Sequence, residues 1–429
     1  MSTAAAVQVI GFGPAAMGIA VAADRAGVLD GLLDAGLIFL ERSPDRWSAA
    51  RRRFSWRILS NSSGRDFVAA IAPGGALGGV LSSSAAARIV AAGDGEVWLP
   101  DVSDLLHELG DRIEAACSRR GGGGVRYGAE AARVVVEADG SFTTYDAAGA
   151  ALSTSRSLVV AAGAQERVDA VRRAVPPEAA VVESGRVLAG DLGPVASAVR
   201  DGAAVVIVGS AHSAFAVTDL ILRSLGGSVR AGQIRIVHRG EVALHFRSVA
   251  EARAHGVIPA RHQICTERGE VNRFNGLRGR AKGLYLHVCD GRERRVSLVD
   301  AGGSATVAAP PGALLIAASG YVRRRLPFAR RDRGPIALAS DHARSVDDAC
   351  RLLTASGEAL PGAFGMGLGH PRTDPGLHRK VGINCFHGAD AAAIVSAVLA
   401  RPADTPRESH RTTPLRVPAD AARCTGGEA

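Results

Sequence analysis

Lysine is almost missing from this chain: of 51 basic residues only Lys282 and Lys380 are lysines, and the rest are arginines. Arginine in place of lysine, with an excess of alanine, has the look of GC-rich coding, so the net charge of +9 is not by itself a signature of nucleic-acid binding. Aromatic residues make up only 4% of the chain. The basic clusters at 51–53 and 323–325 are short and carry none of the interleaved aromatics that a base-stacking platform needs. A nucleic-acid partner is therefore not expected.

Other absences narrow the chemistry. The six cysteines, at 117, 265, 289, 350, 385 and 424, form no CxxC or CxxxxC pair, which excludes a zinc knuckle and a redox-active dithiol. There is no HExxH, GxSxG or GxxxxGK[ST], so zinc protease, esterase and P-loop readings have no foundation. His370, Asp374 and His378 are separated by proline and glycine, and no metal is expected there. No apolar run reaches the roughly 18 to 20 residues of a membrane helix. The N-terminus has no basic leader and runs directly into a strand, so a cytoplasmic protein with reduced thiols and no membrane partner is expected.

What is abundant is glycine, 52 residues, in a chain that is 47% hydrophobic and 22% charged. That composition and a length of 429 residues fit a soluble α/β protein of two or three domains. VQVIGFGPAAMGIAVAADRAG at 7–27 reads as strand, glycine turn and helix, and LIFLE at 37–41 as the next strand. In the G-x-G-x-x-G/A pattern the first glycine makes the tight turn, the second admits a diphosphate, and the third small residue lets helix and strand pack. Gly11, Gly13 and Ala16 take these roles here, with Pro14 and Ala15 opening the helix whose N-terminus faces the phosphates. Glu41 ends the second strand, where an acid accepts hydrogen bonds from ribose hydroxyls; a bare glycine turn with an exposed acid is the bland alternative.

The device recurs. AAVVIVGSAHSAFAVTDLILRSLG at 203–226 repeats strand, turn and helix, with Gly209, Ser210, His212 and Ser213 in the turn and Ala211 where the second glycine should be. QIRIVHRG then ends in His238 and Arg239 rather than an acid, which suits a 2′-phosphate better than a bare ribose. FAD in the first unit and NADPH in the second is the economical assignment. ALLIAASGYVRR at 313–324 echoes SLVVAAGAQER at 157–167, and DVSDLLHELGDRIEAACSRR reads as a helix capped by Asp101. The strands around 124–160 suggest a small antiparallel layer attached to the first sheet. Ser60 and Asn61, in RILSNSSGRDF, follow the first ribose-binding strand, where related enzymes place residues over the flavin; a capped helix start is the alternative. The Arg- and Asn-rich stretch 262–283 either clamps NADPH or an anionic substrate, or is a solvated loop.

GFGPAA (11–16), ERSPDRW (41–47), VVAAG (159–163), GSAHSA (209–214) and IAASGY (316–321) together resemble the two-dinucleotide-binding-domain flavoproteins. Within them the resemblance, over about residues 7–400, is to the class B flavin-dependent monooxygenases, including the N-hydroxylating ornithine and lysine hydroxylases. IAASGY is similar to the ATGY-type segment of that family. The resemblance implies two Rossmann-like domains: an FAD-binding domain from 1–190 and 309–400, and an NAD(P)H-binding domain from 191–308, with 401–429 as a disordered tail. It also implies cofactor contacts at Arg42, Trp47, Ala162, Gly163, Gly320 and Tyr321. Gly367, Gly369, His387 and the rest of 384–390 would then lie near the flavin.

In such enzymes NADPH reduces FAD, reduced flavin captures O2 as a C4a-hydroperoxyflavin, and a nucleophilic heteroatom takes the distal oxygen. The implied function is FAD- and NADPH-dependent N-hydroxylation of a small amine or amino-acid-derived substrate. Two alternatives stay open: an NAD(P)H:acceptor flavin oxidoreductase and a non-catalytic flavin-binding sensor. The FxGxxxHxxx fingerprint of Baeyer-Villiger enzymes is absent, and so is the asparagine-tyrosine segment of the ornithine hydroxylases. Neither the catalytic residues nor the substrate is legible, and self-association is left open.

Overall fold

The computed structural model describes residues 4–51, 56–266, 268–273, 275–302, 304, 306–341, 344–372 and 388–401, and of Ala50, Arg51 and Asn61 the backbone only. Two sheets organise the chain. In the first, five parallel segments lie in the order Gly124–Tyr127, Leu37–Glu41, Ala5–Ile10, Ala151–Val160 and Ala359–Gly365. In the second, Val296–Asp300, Ile234–His238, Val205–Val208, Leu314–Ala317 and Ala180–Glu183 follow the same plan, all parallel. In both, the strand that leads into the glycine turn sits at the centre of the sheet, the arrangement of a dinucleotide-binding fold.

The first sheet forms because its strands alternate between two cores. Val7, Val9, Leu37 and Phe39 face a helical layer that contains Pro14–Arg25, Leu99–Arg120 and Gly388–Ala400. Ile10, Ile38 and Leu40 face the other way, onto Val134, Val136, Phe142 and Phe328. Those partners belong to the expected antiparallel layer. Arg133–Val136 pairs with Phe142–Tyr145, which pairs with the first half of the long strand Ala151–Val160. Buried Gln8 ties the two layers, its Nε2 donating to the Phe142 carbonyl at 2.8 Å. No helix among the described residues is long and apolar enough to cross a membrane.

The repeat is quantitative at the turns. Gly11 has φ +105, and a Cβ added there would stand 2.6 Å from the Ala161 carbonyl oxygen. Gly209 has φ +137, and its Cβ would stand 2.2 Å from the Ala318 carbonyl oxygen. Two residues on, Gly13 (φ −86, ψ −175) and Ala211 (φ −86, ψ −178) cap the two helices with the same backbone. Ala16 and Ala214 are both fully buried against their strands. Alanine at 211 therefore costs nothing in backbone conformation, because φ −86 is open to any residue.

One expectation needs correction. The helix expected from a capping Asp101 starts at Leu99, because Pro100 occupies the first turn and leaves Asp101 inside it. Strands 180–183 and 314–317 hydrogen-bond within the second sheet, and Leu314–Ala317 is the counterpart of Ala151–Val160, not an addition to the first sheet. The chain crosses between the halves at Ala164–Glu166 and Tyr321–Arg323, which run antiparallel side by side. The end of the described chain is pinned by Arg401, whose Nη2 donates to the Gly140 carbonyl at 3.0 Å, and the tail expected at 401–429 otherwise lies outside the described residues.

Gly11→Ala and Gly209→Ala should each lower unfolding stability by about 2 kcal/mol or more in urea titrations, because each combines a positive φ with a blocked Cβ. Ala211→Gly should change it by less than about 1 kcal/mol. Equal losses for all three would contradict the contact with the facing carbonyl.

Candidate functional site: two dinucleotide turns and the cleft between them

At the first turn the helix Pro14–Arg25 begins with proline at its first position and has no side-chain cap, so its leading N–H groups face outward. A Cβ built on Gly13 meets nothing within 4 Å, leaving room for a diphosphate over the helix end. Glu41 is buried and folds across the turn, Oε2 accepting from the Phe12 N–H at 3.1 Å and Oε1 from the Ser43 N–H at 2.8 Å. Its remaining lone pairs are available to ribose hydroxyls. Arg42 is exposed beside it, and the buried Ser43 hydroxyl has no hydrogen-bond partner. Trp47 is 62% exposed, its ring 5.1 Å from that of His107 and tilted by 36°, with Arg46 over it at 5.2 Å.

The far side of this site is a glycine-rich loop after the strand Ala359–Gly365. Met366 N–H donates to the Val160 carbonyl at 3.1 Å, Gly367 has φ +78, and a Cβ on Gly369 would sit 2.4 Å from the Gly163 carbonyl oxygen. Gly367 and Gly369 thus come together with Ala162 and Gly163 at the C-terminal ends of the central strands. Buried His370 is held by Ser345, Nδ1 to Oγ at 3.2 Å. His387, Asp374, His378 and 384–387 lie outside the described residues, and among the described residues no group of His, Cys, Asp and Glu is arranged to hold a metal.

Ser60 is buried in a two-stranded ribbon, Leu59–Ser63 with Glu96–Trp98, where its hydroxyl accepts from the Val97 N–H at 3.2 Å and donates to the Ser62 carbonyl. Asn61 lies in the same strand, and Ser63 caps the next helix through the Asp66 N–H. The capped-helix alternative accounts for much of this segment.

At the second turn, Gly209 and Ser210 lead into His212, the first residue of the helix His212–Leu225. Burial, and then the charge of Arg278, push the His212 imidazole down to about 4, and its Nδ1 is buried without a partner. The Ser213 hydroxyl meets Tyr321, whose phenol is pushed up to about 12 by burial and by the Glu166 carboxylate. Glu166 is itself raised by burial; Oε1 accepts from the Gly185 N–H at 2.7 Å while Oε2 has no partner. The Ser319 hydroxyl, beside Gly320, is also buried and unpartnered. Three orphaned polar atoms around one helix N-terminus are what a bound polar ligand would satisfy. After the second strand, His238 Nδ1 lies 2.8 Å from the Gly240 carbonyl and Arg239 is exposed.

Sequence reasoning missed the groups that close the two halves on each other. A small cleft of about 20 Å³ is lined by Leu59, Glu96, His212, Phe215, Asp219 and Arg280. Glu96 is raised by burial and accepts from the Arg280 N–H at 3.3 Å, at the start of the helix Gly279–Cys289. Arg268 pairs with Asp66 at 3.5 Å across the same gap. None of these pairs has a local sequence signal. The residues present fit two dinucleotides: an open diphosphate turn with a ribose-facing acid in one half, and an orphan-lined turn followed by an arginine in the other.

No family model matches the chain. A curated relative from Streptomyces rubellomurinus, a CMP-5'-(3-aminopropyl)phosphonate hydroxylase, is 28% identical over 297 residues, covering 66% of this chain and 68% of the relative. The ornithine N-hydroxylase of Kutzneria sp. 744, solved with reduced FAD, NADP+ and L-ornithine, superposes with a TM-score of 0.56 at 14% identity, over 92% of this chain and 99% of that one. The cadaverine monooxygenase of Erwinia amylovora, solved with FAD, does so with a TM-score of 0.56 at 14% identity, over 97% and 100%. The chain has the fold of the N-hydroxylating flavin monooxygenases. The two glycine turns lie at the C-terminal ends of the central parallel strands of their sheets.

Gly13→Asp should abolish retention of FAD, by crowding and repelling the diphosphate, while leaving thermal stability of the flavin-free protein unchanged. A yellow variant with full flavin content would contradict the site. The two depressed histidines give a pH signature. His212 sits near 4 and His245 near 3, both below the ordinary 6.5, so the unfolded chain binds more protons in this window. Their contribution is intact above pH 6.5 and is lost as pH falls towards 4. His212→Gln and His245→Gln should each make the loss of stability between those values shallower; unchanged acid limbs would show that neither ring is buried neutral.

Proposed function

We propose that the protein is an FAD- and NADPH-dependent monooxygenase that N-hydroxylates a small primary amine, taking O2 as co-substrate. The observation that carries this reading is the pair of equivalent glycine turns, each packed on the carbonyl of its sheet's fourth strand, in a chain whose halves are joined at those strands. The hydroxylase relative and the amine hydroxylases of the same fold support the amine. We assign the flavin half to about 4–163 and 324–400 and the nicotinamide half to about 164–323, and place the protein in the cytoplasm.

Bound FAD, reduced by NADPH, supplies the activated oxygen. The chain's own contributions are binding, orientation and exclusion of water. The N-terminus of Pro14–Arg25 would hold the first diphosphate and Glu41 its ribose. The N-terminus of His212–Leu225 would hold the second diphosphate, with Tyr321 fixing Ser213 and neutral His212 offering Nδ1 as an acceptor. Arg239 would bind the 2′-phosphate. The loop at 365–370, fastened to Val160 and Gly163, would exclude water from the flavin. No side chain is required as a nucleophile, because the amine supplies the electron pair.

Ala211 favours a second reading. Its methyl projects where Gly13 leaves open space, so a protein with weak nicotinamide binding would act as a flavin sensor or take electrons from another donor. Product analysis decides. FAD-loaded protein given NADPH, O2 and a panel of primary amines should form a hydroxylamine close to one for each NADPH consumed with its best amine. NADPH oxidation that no amine accelerates, with rapid turnover of a quinone acceptor, would instead establish an oxidoreductase.

A further inference from the structure

The crossing strand Tyr321–Arg323 serves both halves. Residues two apart in a strand leave it on the same side, and here Tyr321 meets the Ser213 hydroxyl at the second turn while Arg323 packs on the glycine loop of the first half. Arg323 is paired with Ala164, the residue after Gly163, and its Cβ lies 3.7 Å from where a Cβ on Gly369 would stand. The side chain therefore starts from the place where Gly163 and Gly369 close the central strands of the first sheet.

Its guanidinium is tied at one edge only. Nη2 donates to the Ala339 carbonyl, and the Ala339 N–H donates in turn to the Leu353 carbonyl at 2.9 Å, whereas Nη1 is buried with no hydrogen-bond partner. Other arginines that are largely covered stand beside a glutamate: Arg278 beside Glu270, Arg295 beside Glu293 and Arg331 beside Glu137. Among the described residues Arg323 has no such acid. Burial, and then the like charge of Arg325, hold its guanidinium below the ordinary value. An arginine does not relieve such a cost by losing its proton, so a covered and unpaired guanidinium is offset only by an anion that a ligand brings.

The reaction brings one. NADPH gives FAD a hydride, one proton with two electrons, and leaves as NADP+; the reduced flavin then carries one more negative charge, because no second proton comes with the hydride. We propose that Arg323, through the open Nη1 edge of its guanidinium, stabilises the negative charge that the flavin acquires on reduction. The inference rests on the assignment of the flavin to the first half. The diphosphate already has the N-terminus of Pro14–Arg25 and the open space over Gly13, whereas Arg323 lies on the strand that also reaches the nicotinamide turn, where the two cofactors must meet for hydride to pass. Arg323 is on this reading a positioning residue for charge, one that favours the reduced flavin over the oxidised.

The midpoint potential of the bound FAD tests this, measured against a reference dye with dithionite as reductant so that neither NADPH nor an amine is needed. Arg323→Gln and Arg323→Met both drop the charge, the second with an apolar chain that tolerates burial, and each should disfavour the reduced flavin at least about tenfold, a potential more negative by about 30 mV or more. Arg323→Lys, which keeps the charge, should recover most of that loss, and Arg325→Gln, at the exposed neighbour, should change the ratio less than about twofold. Affinity for oxidised FAD should be the same in all four variants as in the wild type. Bound FAD with an unchanged potential in the Gln and Met variants would overturn the inference and leave the flavin assignment standing. Equal weakening of oxidised and reduced FAD would move Arg323 to the diphosphate and overturn it as well. A wild type that takes up no FAD would defeat the flavin assignment itself, and this inference with it.

Discussion

The whole molecule depends on a contact made twice, a glycine α-carbon against the carbonyl of the neighbouring strand. Gly11 lies on Ala161 and Gly209 on Ala318, and in each case no side chain fits between them. That contact sets the third and fourth strands of each sheet side by side, turns the chain at a positive φ, and aims the following helix N-terminus at the open end of the sheet. Because both fourth strands continue directly into the crossings Ala164–Glu166 and Tyr321–Arg323, it also fixes how the two halves are joined. The two candidate cofactor sites are therefore consequences of one backbone device.

The halves differ where side chains take over. The first turn is open above Gly13 and is finished by Glu41, whose carboxylate is tied down by two backbone N–H groups and so presents fixed acceptors. The second turn carries a methyl at Ala211 and is finished by polar groups without partners, His212 Nδ1, Ser319 Oγ and Glu166 Oε2. A tightly held group in the first and an exchanging one in the second is the division of labour that a resident flavin and a visiting nicotinamide require. Burial does the tuning: it keeps His212 neutral and Tyr321 protonated across the physiological range, so both act as dipoles rather than charges.

The parts legible in the sequence were those with a local rule behind them. Short continuous hydrophobic runs gave the central strands, and glycine spacing gave both turns, since φ +105 and +137 leave little choice of residue. Chain ends of elements were less legible. Pro100 moved a helix start from Asp101 to Leu99, and the short, partly exposed strand Ala180–Glu183 gives too weak a pattern to be placed in the second sheet. Least legible was everything that joins the halves. Glu96 meets the Arg280 N–H across 184 residues of chain, and Asp66 meets Arg268 with no motif to announce either. The arginine-rich stretch 262–283 was ambiguous for the same reason, because only the fold shows that Arg268, Arg273 and Arg278 gather on Glu270.

The central claim is that one half of the chain holds a flavin and the other delivers hydride to it from NADPH. The most direct measurement is an anaerobic titration of the purified yellow protein with NADPH, followed through its visible flavin absorption and repeated with NADH. The account predicts complete bleaching by one equivalent of NADPH per flavin, with NADH far slower at equal concentration. A protein that carries no flavin, or one whose flavin is left oxidised by NADPH, would contradict it.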